Sequence, residues 1–341
     1  MSANTKKILA VLGATGHQGG SVIDFVLNDP VLSAEYSIRA LTRDPSSASS
    51  QALLARTNNN IELIQADVTS RDSLTTAFRS AHTVFSVTTP TFGPLALETE
   101  LATASVIADV AAEQGVQHFI WSTLTNFSEA SGGKYTRVTA FDAKALAEKY
   151  IRGLAAQGKF RASFFSAGSY MENFADQAFL APRKRVTTTG EEEWVLSRPC
   201  ESTAALPLIA AKADVGKFVG AILAEPDKYA TTTGAAEPDG RGRTLCAATA
   251  MYSFDEIVRI ASAATGKKIV YEQISLDEFA ESLKMLPLNL GDIFVDAYAA
   301  YAVTGYFGAE SEKEVEWAVK QARGKLTTLE EFFAGRPWVL E

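Results

Sequence analysis

An apolar run at 8–12 leads straight into Gly13-Ala14-Thr15-Gly16-His17-Gln18-Gly19-Gly20, and a stretch with helical spacing follows from 21 to 27. No other feature of the chain narrows its folds so far. Glycines 13, 16 and 19 give the spacing Gly-x-x-Gly-x-x-Gly, a variant of the Gly-x-Gly-x-x-Gly turn between strand and helix. Such a turn brings bare backbone N–H groups to a helix N-terminus, where they face a pyrophosphate without side-chain obstruction. A glycine triplet alone also fits an ordinary turn. Its place between a first strand and a helix is the context that a dinucleotide fingerprint requires. Gly13, Thr15, Gly16, His17, Gln18 and Gly19 are therefore the expected phosphate-binding residues.

The next stretches keep a strand–helix rhythm. Apolar runs at 8–12, 36–41, 61–65, 83–87, 118–122 and 162–166 read as strands. Between them, 98–114 has Leu101, Ala104, Ile107, Ala108 and Ala111 on one helical face, with Gly115 as a left-handed stop. This alternation predicts an α/β fold, a Rossmann-type doubly wound parallel sheet. After 166 the rhythm changes. Strands are expected at 186–189 and 194–197, a helix capped by Asp214 through Leu223, and a loop over 231–244. Capping boxes at Ser253/Glu256 and Ser275/Glu278, a helix over 293–303 and a short one opened by Thr328/Glu331 complete it. The expected organisation is a nucleotide-binding domain over 1–166 and a smaller α-rich C-terminal lobe over 167–341 for substrate or partner, its chain interleaving with the sheet.

The end of the second strand speaks to the nucleotide. A carboxylate there suits the 2′-hydroxyl of NAD, an arginine the 2′-phosphate of NADP. The chain reads Leu41-Thr42-Arg43-Asp44-Pro45, and a guanidinium fork matches a phosphate, so Arg43 points to NADP(H). The alternative is a solvated Arg43, with Asp44 capping the next helix. Asp67, after the third strand, is a candidate beside the adenine, or a cap or turn residue. Thr88, Thr89, Ser122, Tyr170 and Asn173 lie at the carboxyl ends of later strands, where open α/β sheets bind ligands.

Composition bounds the partners. The 341 residues carry 32 Lys+Arg against 40 Asp+Glu, a net charge of -8. An acidic chain without a basic stripe is not expected to grip nucleic acid directly. The five apolar residues at 8–12 are too few for a signal-peptide core or a membrane span. With only Cys200 and Cys246, the expectation is a reducing compartment: the cytoplasm, with the nucleus also open. Three histidines, none at ligand spacing, support no metal site. A monomer or a homodimer is expected.

The motifs together resemble the NmrA-like family, atypical members of the short-chain dehydrogenase/reductase superfamily related to isoflavone-reductase-like proteins. The resemblance rests on Gly-Ala-Thr-Gly-x-Gln-Gly-Gly, Leu-Thr-Arg-Asp-Pro, Ala-Phe-Asp-Ala-Lys (140–144), Ala-Gly-Ser-Tyr-Met-Glu-Asn-Phe (167–174) and Thr-Leu-Glu-Glu-Phe (328–332). It implies an NADP(H)-binding protein that acts as a redox-linked regulator or sensor through a protein partner. The alternative it implies is an NADPH-dependent reductase of the isoflavone-reductase type, acting on a small apolar carbonyl or enone. Whether the chain is an enzyme stays open at this point. The superfamily's usual enzymes place a Tyr four residues before the Lys; position 140 is Ala, and Tyr135 is nine residues before Lys144. The isoflavone-reductase group, which lacks that Tyr, is thought to use the lysine itself. Lys144 is thus the one catalytic candidate, with ribose contact and a plain surface helix as its other readings. Phe92, Tyr170, Phe174, Tyr298 and Tyr301 are candidates for an apolar pocket above the nicotinamide, or for core.

Overall fold

The computed structural model describes residues 6–288 and 290–340. Six strands come in order: β1 (Lys7–Val11), β2 (Tyr36–Thr42), β3 (Glu62–Gln65), β4 (Ala81–Ser86), β5 (His118–Thr123) and β6 (Arg161–Ala167). With a seventh, Leu245–Ala247, they form one sheet in the order Leu245–Ala247, β6, β5, β4, β1, β2, β3. Every pairing in it is parallel. A parallel sheet covered on both faces needs strands apolar on both sides. β5 meets this in full, being buried from His118 to Thr123. The strand order reverses between β1 and β4, so the crevice at a doubly wound sheet's switch point opens beside the glycine turn.

One face is covered by α1 (His17–Asn28) and by the helix Ala211–Ala224. These two pack with almost no space between them. A Cβ on Gly216 would lie 2.3 Å from Ser21 O, and one on Gly220 2.2 Å from Phe25 Cε1. Ser21 Oγ also accepts the Gly216 N–H at 2.9 Å. The other face is covered by the helices Ala96–Glu113 and Thr139–Ala156. The chain beyond 166 therefore supplies a helix and a strand to the large sheet before it builds the smaller lobe.

That lobe holds helices and two three-stranded sheets. One joins Ser169–Tyr170, Ala205–Ile209 and Ala250–Ser253; the other joins Arg183–Val186, Glu192–Arg198 and Ile269–Gln273. Three expectations are corrected here. The strand expected at 186–189 runs instead over Arg183–Val186, because Thr187 to Gly190 close the turn. The helix over the 214–223 stretch begins at Ala211, so Asp214 sits in its first turn; its carboxylate accepts from Lys217 Nζ and from Thr327 N. Ser47, not Asp44, caps the helix after β2. The boxes at Ser253, Ser275 and Thr328 form as the spacing predicts. No described helix is long and apolar enough to cross a membrane, and no described group of His, Cys, Asp or Glu could hold a metal.

Candidate cofactor and active site

The glycine turn has the geometry of a phosphate cradle. Gly13 takes φ +65°, a left-handed conformation, and a Cβ there would meet Val87 Cγ1 at 2.9 Å. Gly16 N–H closes the turn on Gly13 O at 2.9 Å. At Gly19 a Cβ would stand 2.3 Å from Gly13 O, so turn and helix approach closely only because no side chain intervenes. Gly16 sits at the N-cap of α1 and offers no side-chain cap. The N–H groups of His17, Gln18 and Gly19 are the first-turn donors that a helix leaves without internal partners. Thr15 is exposed at the tip of the turn.

Gln18 and Tyr170 meet across the crevice: Gln18 Nε2 donates to Tyr170 Oη at 2.6 Å, and the His17 ring lies 5.9 Å from the Tyr170 ring. Burial pushes the Tyr170 phenol above its ordinary range. Gln18 Oε1, Ser86 Oγ, Glu100 Oε2 and Ser166 Oγ are buried and have no hydrogen-bond partner among the described residues. Ser86 ends β4 and Ser166 is one residue from the end of β6, so unsatisfied polar groups gather along the sheet's carboxyl edge. Buried polar atoms without partners are uncommon and ask for a reason, such as a polar ligand. Together with the bare cradle, they fit a dinucleotide lying across that edge.

Arg43 is exposed at the end of β2, and its guanidinium has no carboxylate partner among the described residues. Its neighbour Asp44 is occupied: Oδ1 accepts from Ser46 N at 2.8 Å and Ser46 Oγ at 2.6 Å, which holds the carboxyl below its ordinary range. Asp67 is likewise an exposed turn residue, its Oδ1 accepting from Thr69 Oγ1 at 2.7 Å and Thr69 N at 2.9 Å. Asn173 opens the short helix Asn173–Asp176 and is half-buried. In the same motif Glu172 is an architectural residue. Its two oxygens accept the N–H groups of Ala211 and Lys212, at 2.9 and 2.8 Å, and so pin the chain after β6 to the helix Ala211–Ala224.

The densest chemistry lies where β4 meets the helix Ala96–Glu113. Lys144, on the helix Thr139–Ala156, is 4 % exposed, and its Nζ donates to Glu100 Oε1. Thr88 Oγ1 donates to the same oxygen at 2.6 Å, and Glu100 itself is 2 % exposed. The surface reading of Lys144 is thereby excluded. Burial pulls the Lys144 ammonium below its ordinary range, and the Glu100 charge opposes that pull. Trp121 Nε1 donates to Lys144 O at 3.0 Å, which fixes this turn of helix against β5. Ser122, next in β5, is buried, and Thr89, next to Thr88, is exposed. Because Val87 touches Gly13, the Lys144–Glu100–Thr88 network sits beside the glycine turn, at the switch point.

Of the aromatic candidates, Tyr170 stands in the crevice, and Phe174, Tyr298 and Tyr301 follow the core alternative. Phe174 stacks on Phe333 at 5.4 Å and meets Trp338 edge-on at 5.2 Å, and Tyr298 packs between Phe279 and Tyr301. These are core contacts, not a pocket wall. Phe92 is exposed and lines a shallow cleft with Thr91, Leu95 and Thr99, in the segment that joins Thr88 to Glu100. Tyr135 packs in an apolar cluster with Phe127 and Val138. Glu100 was not among the sequence candidates, although its place four residues before Ala104 puts a carboxylate on that helix's apolar face.

Comparison with known proteins adds to this geometry. A profile described as the NmrA-like family matches residues 5–333. The NmrA-like family domain-containing oxidoreductase hkm9 of Aspergillus hancockii is 28% identical over 328 residues, spanning 93% of this chain and 90% of that protein. Among solved structures, the negative transcriptional regulator NmrA in complex with NADP superposes with a TM-score of 0.72 at 22% identity, covering 97% of this chain and 95% of that one. The Citrobacter sp. triphenylmethane reductase complexed with NADP(H) gives 0.67 at 17% identity, covering 97% and 100%.

Proposed function

The chain belongs to the NmrA-like family, and from that premise we propose that it binds NADP(H) and acts as an NADPH-dependent reductase of a small apolar carbonyl or enone. The observation that carries this reading is the buried Lys144–Glu100–Thr88 network beside the glycine turn. The glycine turn and the N-terminus of α1 would hold the pyrophosphate, Arg43 the 2′-phosphate, and Gln18 with Tyr170 the path between the lobes. NADPH, when bound there, would supply a hydride. The residues of this chain then have to hold the substrate oxygen and deliver a proton to the product. Lys144 Nζ is a buried proton donor, and Glu100 keeps it charged by supplying a counter-charge where water is scarce. The relative hkm9 is named an oxidoreductase and the triphenylmethane reductase is named a reductase, which supports the same reading.

A second reading takes the same buried pair the other way and draws its support from the similarity to the regulator NmrA. Lys144 is nearly out of reach of solvent and already paired, which suits a protein whose nucleotide is read and not consumed. In that case NADP(H) occupancy would tune contact with a protein partner; the similar NmrA is named a negative transcriptional regulator and is seen in complex with NADP. The experiment that separates them is NADPH oxidation against a panel of quinones, enones and aldehydes. The reductase reading expects turnover, and expects Lys144→Ala to lower kcat by about 10²–10⁴-fold while NADPH binding falls far less. Absence of turnover across the panel with NADPH bound supports the regulator. Full turnover in Lys144→Ala removes the role given to this lysine.

A further inference from the structure

Away from the large sheet, the smaller lobe buries a positive charge with no carboxylate beside it among the described residues; only the Tyr298 ring, 5.5 Å from Arg198 Cζ, faces it as a π surface. Arg198 ends the strand Glu192–Arg198 and is 5 % exposed. Its Nε donates to Tyr298 Oη at 3.1 Å, its Nη1 to Ser197 O at 2.7 Å and its Nη2 to Leu180 O at 2.6 Å. Every acceptor is neutral, and no carboxylate pairs with the guanidinium among the described residues. Lys144, the other cation buried this deeply, has Glu100. Burying an ion without a counter-charge is costly, and neutral carbonyls offset only part of that cost. A guanidinium also has more N–H donors than these acceptors use.

The same arginine borders a cleft. Arg198 lines a cavity of about 160 Å³ whose walls include Phe179, Val195, Ile274 and Phe279. Arg183 stands at the same cavity, exposed, its Nη2 donating to Ser282 O at 3.3 Å and without a carboxylate partner among the described residues. Two arginines and a ring of apolar side chains select for a molecule with both characters. A cavity near ~150 Å³ takes one benzene ring. We propose that this cleft is a binding site for a small carboxylate with an apolar, ring-sized body, its carboxylate on Arg198 and Arg183 and its body against Phe179 and Phe279. Charge on the ligand distinguishes such a site from a merely apolar hole.

The test is titration calorimetry of the full chain with benzoate and with its neutral isostere benzamide, no NADP(H) present. Benzoate is expected to bind about ten-fold tighter or more, since hydrogen bonds to charged groups outweigh neutral ones by that much. Arg198→Gln is expected to abolish the preference. Because Arg198 also ties Leu180 and Tyr298 in place, Ala181→Leu gives a second variant: it fills the cleft from the adjoining loop and leaves Arg198 intact. That variant is expected to lose benzoate binding with its Tm in plain buffer unchanged. Equal affinity for benzamide, no benzoate binding at millimolar concentration, or benzoate binding that survives Ala181→Leu would overturn the proposal. Since no nucleotide takes part, none of these outcomes bears on the reductase reading.

Discussion

At the scale of residues, a buried ion pair is an expensive way to hold two helices together. Replacing such a pair with apolar side chains often leaves stability unchanged or raises it. The pairing of Lys144 with Glu100 therefore suits chemistry better than architecture. It predicts a pH dependence. Burial lowers the Lys144 pKa, so the donor is lost as pH rises through a value below the ordinary ~10.4, and kcat should show its alkaline limb there. Glu100 opposes the lowering, so Glu100→Gln should move that limb to lower pH; a pH–rate profile with an unmoved limb would separate Glu100 from the reaction. At the other end of the cofactor, Arg43→Ala should weaken NADP(H) about ten-fold or more and leave NAD(H) nearly unchanged, as read by calorimetry. Equal losses for both nucleotides would take the 2′-phosphate away from Arg43. The glycines and Arg43 were legible because their signals are local, a spacing and a strand end. Glu100 was less so. Its meaning depends on Lys144, 44 positions on in the chain, and only packing brings the two together.

At the scale of elements, the helix pair on one sheet face and the β5–β6 ladder carry distinct tests. Gly216→Ala puts a methyl into Ser21 O and should cost roughly 1–3 kcal/mol, as overpacking does, measured by urea unfolding. A Cβ on Gly153, in the helix Thr139–Ala156, would meet nothing within 4 Å, so Gly153→Ala should be neutral or mildly stabilising. Equal effects at both sites would contradict the close approach of the two helices. In β5, His118 is fully buried with Nε2 on Ser163 Oγ at 2.8 Å, and burial pushes its pKa down to about 3. The unfolded chain takes up that proton near pH 6.5, so stability should fall as pH drops from there toward 3. The slope from this one group approaches about 1.4 kcal/mol per pH unit, and His118→Gln should remove it. Strands β1 to β6 were legible because each is a short apolar run between helices. The strand Ala205–Ile209 was not, because Pro207 has no N–H for a ladder and reads as a break. It survives because Pro207 stands opposite Met251 while Leu206 and Leu208 bury their side chains.

At the scale of the whole molecule, the chain crosses between its two parts more than once. A division at 166/167 follows the change of rhythm in the sequence. Yet Ala211–Ala224 packs on α1, and Leu245–Ala247 extends the large sheet. Periodicity reports each element's type, not the layer it joins, so this crossing was open in the sequence only as interleaving. It places Tyr170 from the second part against Gln18 from the first, which makes the crevice a joint product of both. On the proposed function, this crevice passes a hydride from NADPH to a carbon of a small apolar carbonyl or enone. The most direct measurement is isotopic: NADPH carrying deuterium at both C4 positions is incubated with the full chain and the best enone or aldehyde of the panel, whose reduced carbon keeps the label, and the product is analysed by mass spectrometry. One deuterium is expected on the reduced carbon, and none when Lys144→Ala is used over the same interval. Unlabelled product, or no product while calorimetry shows NADPH bound, would contradict it.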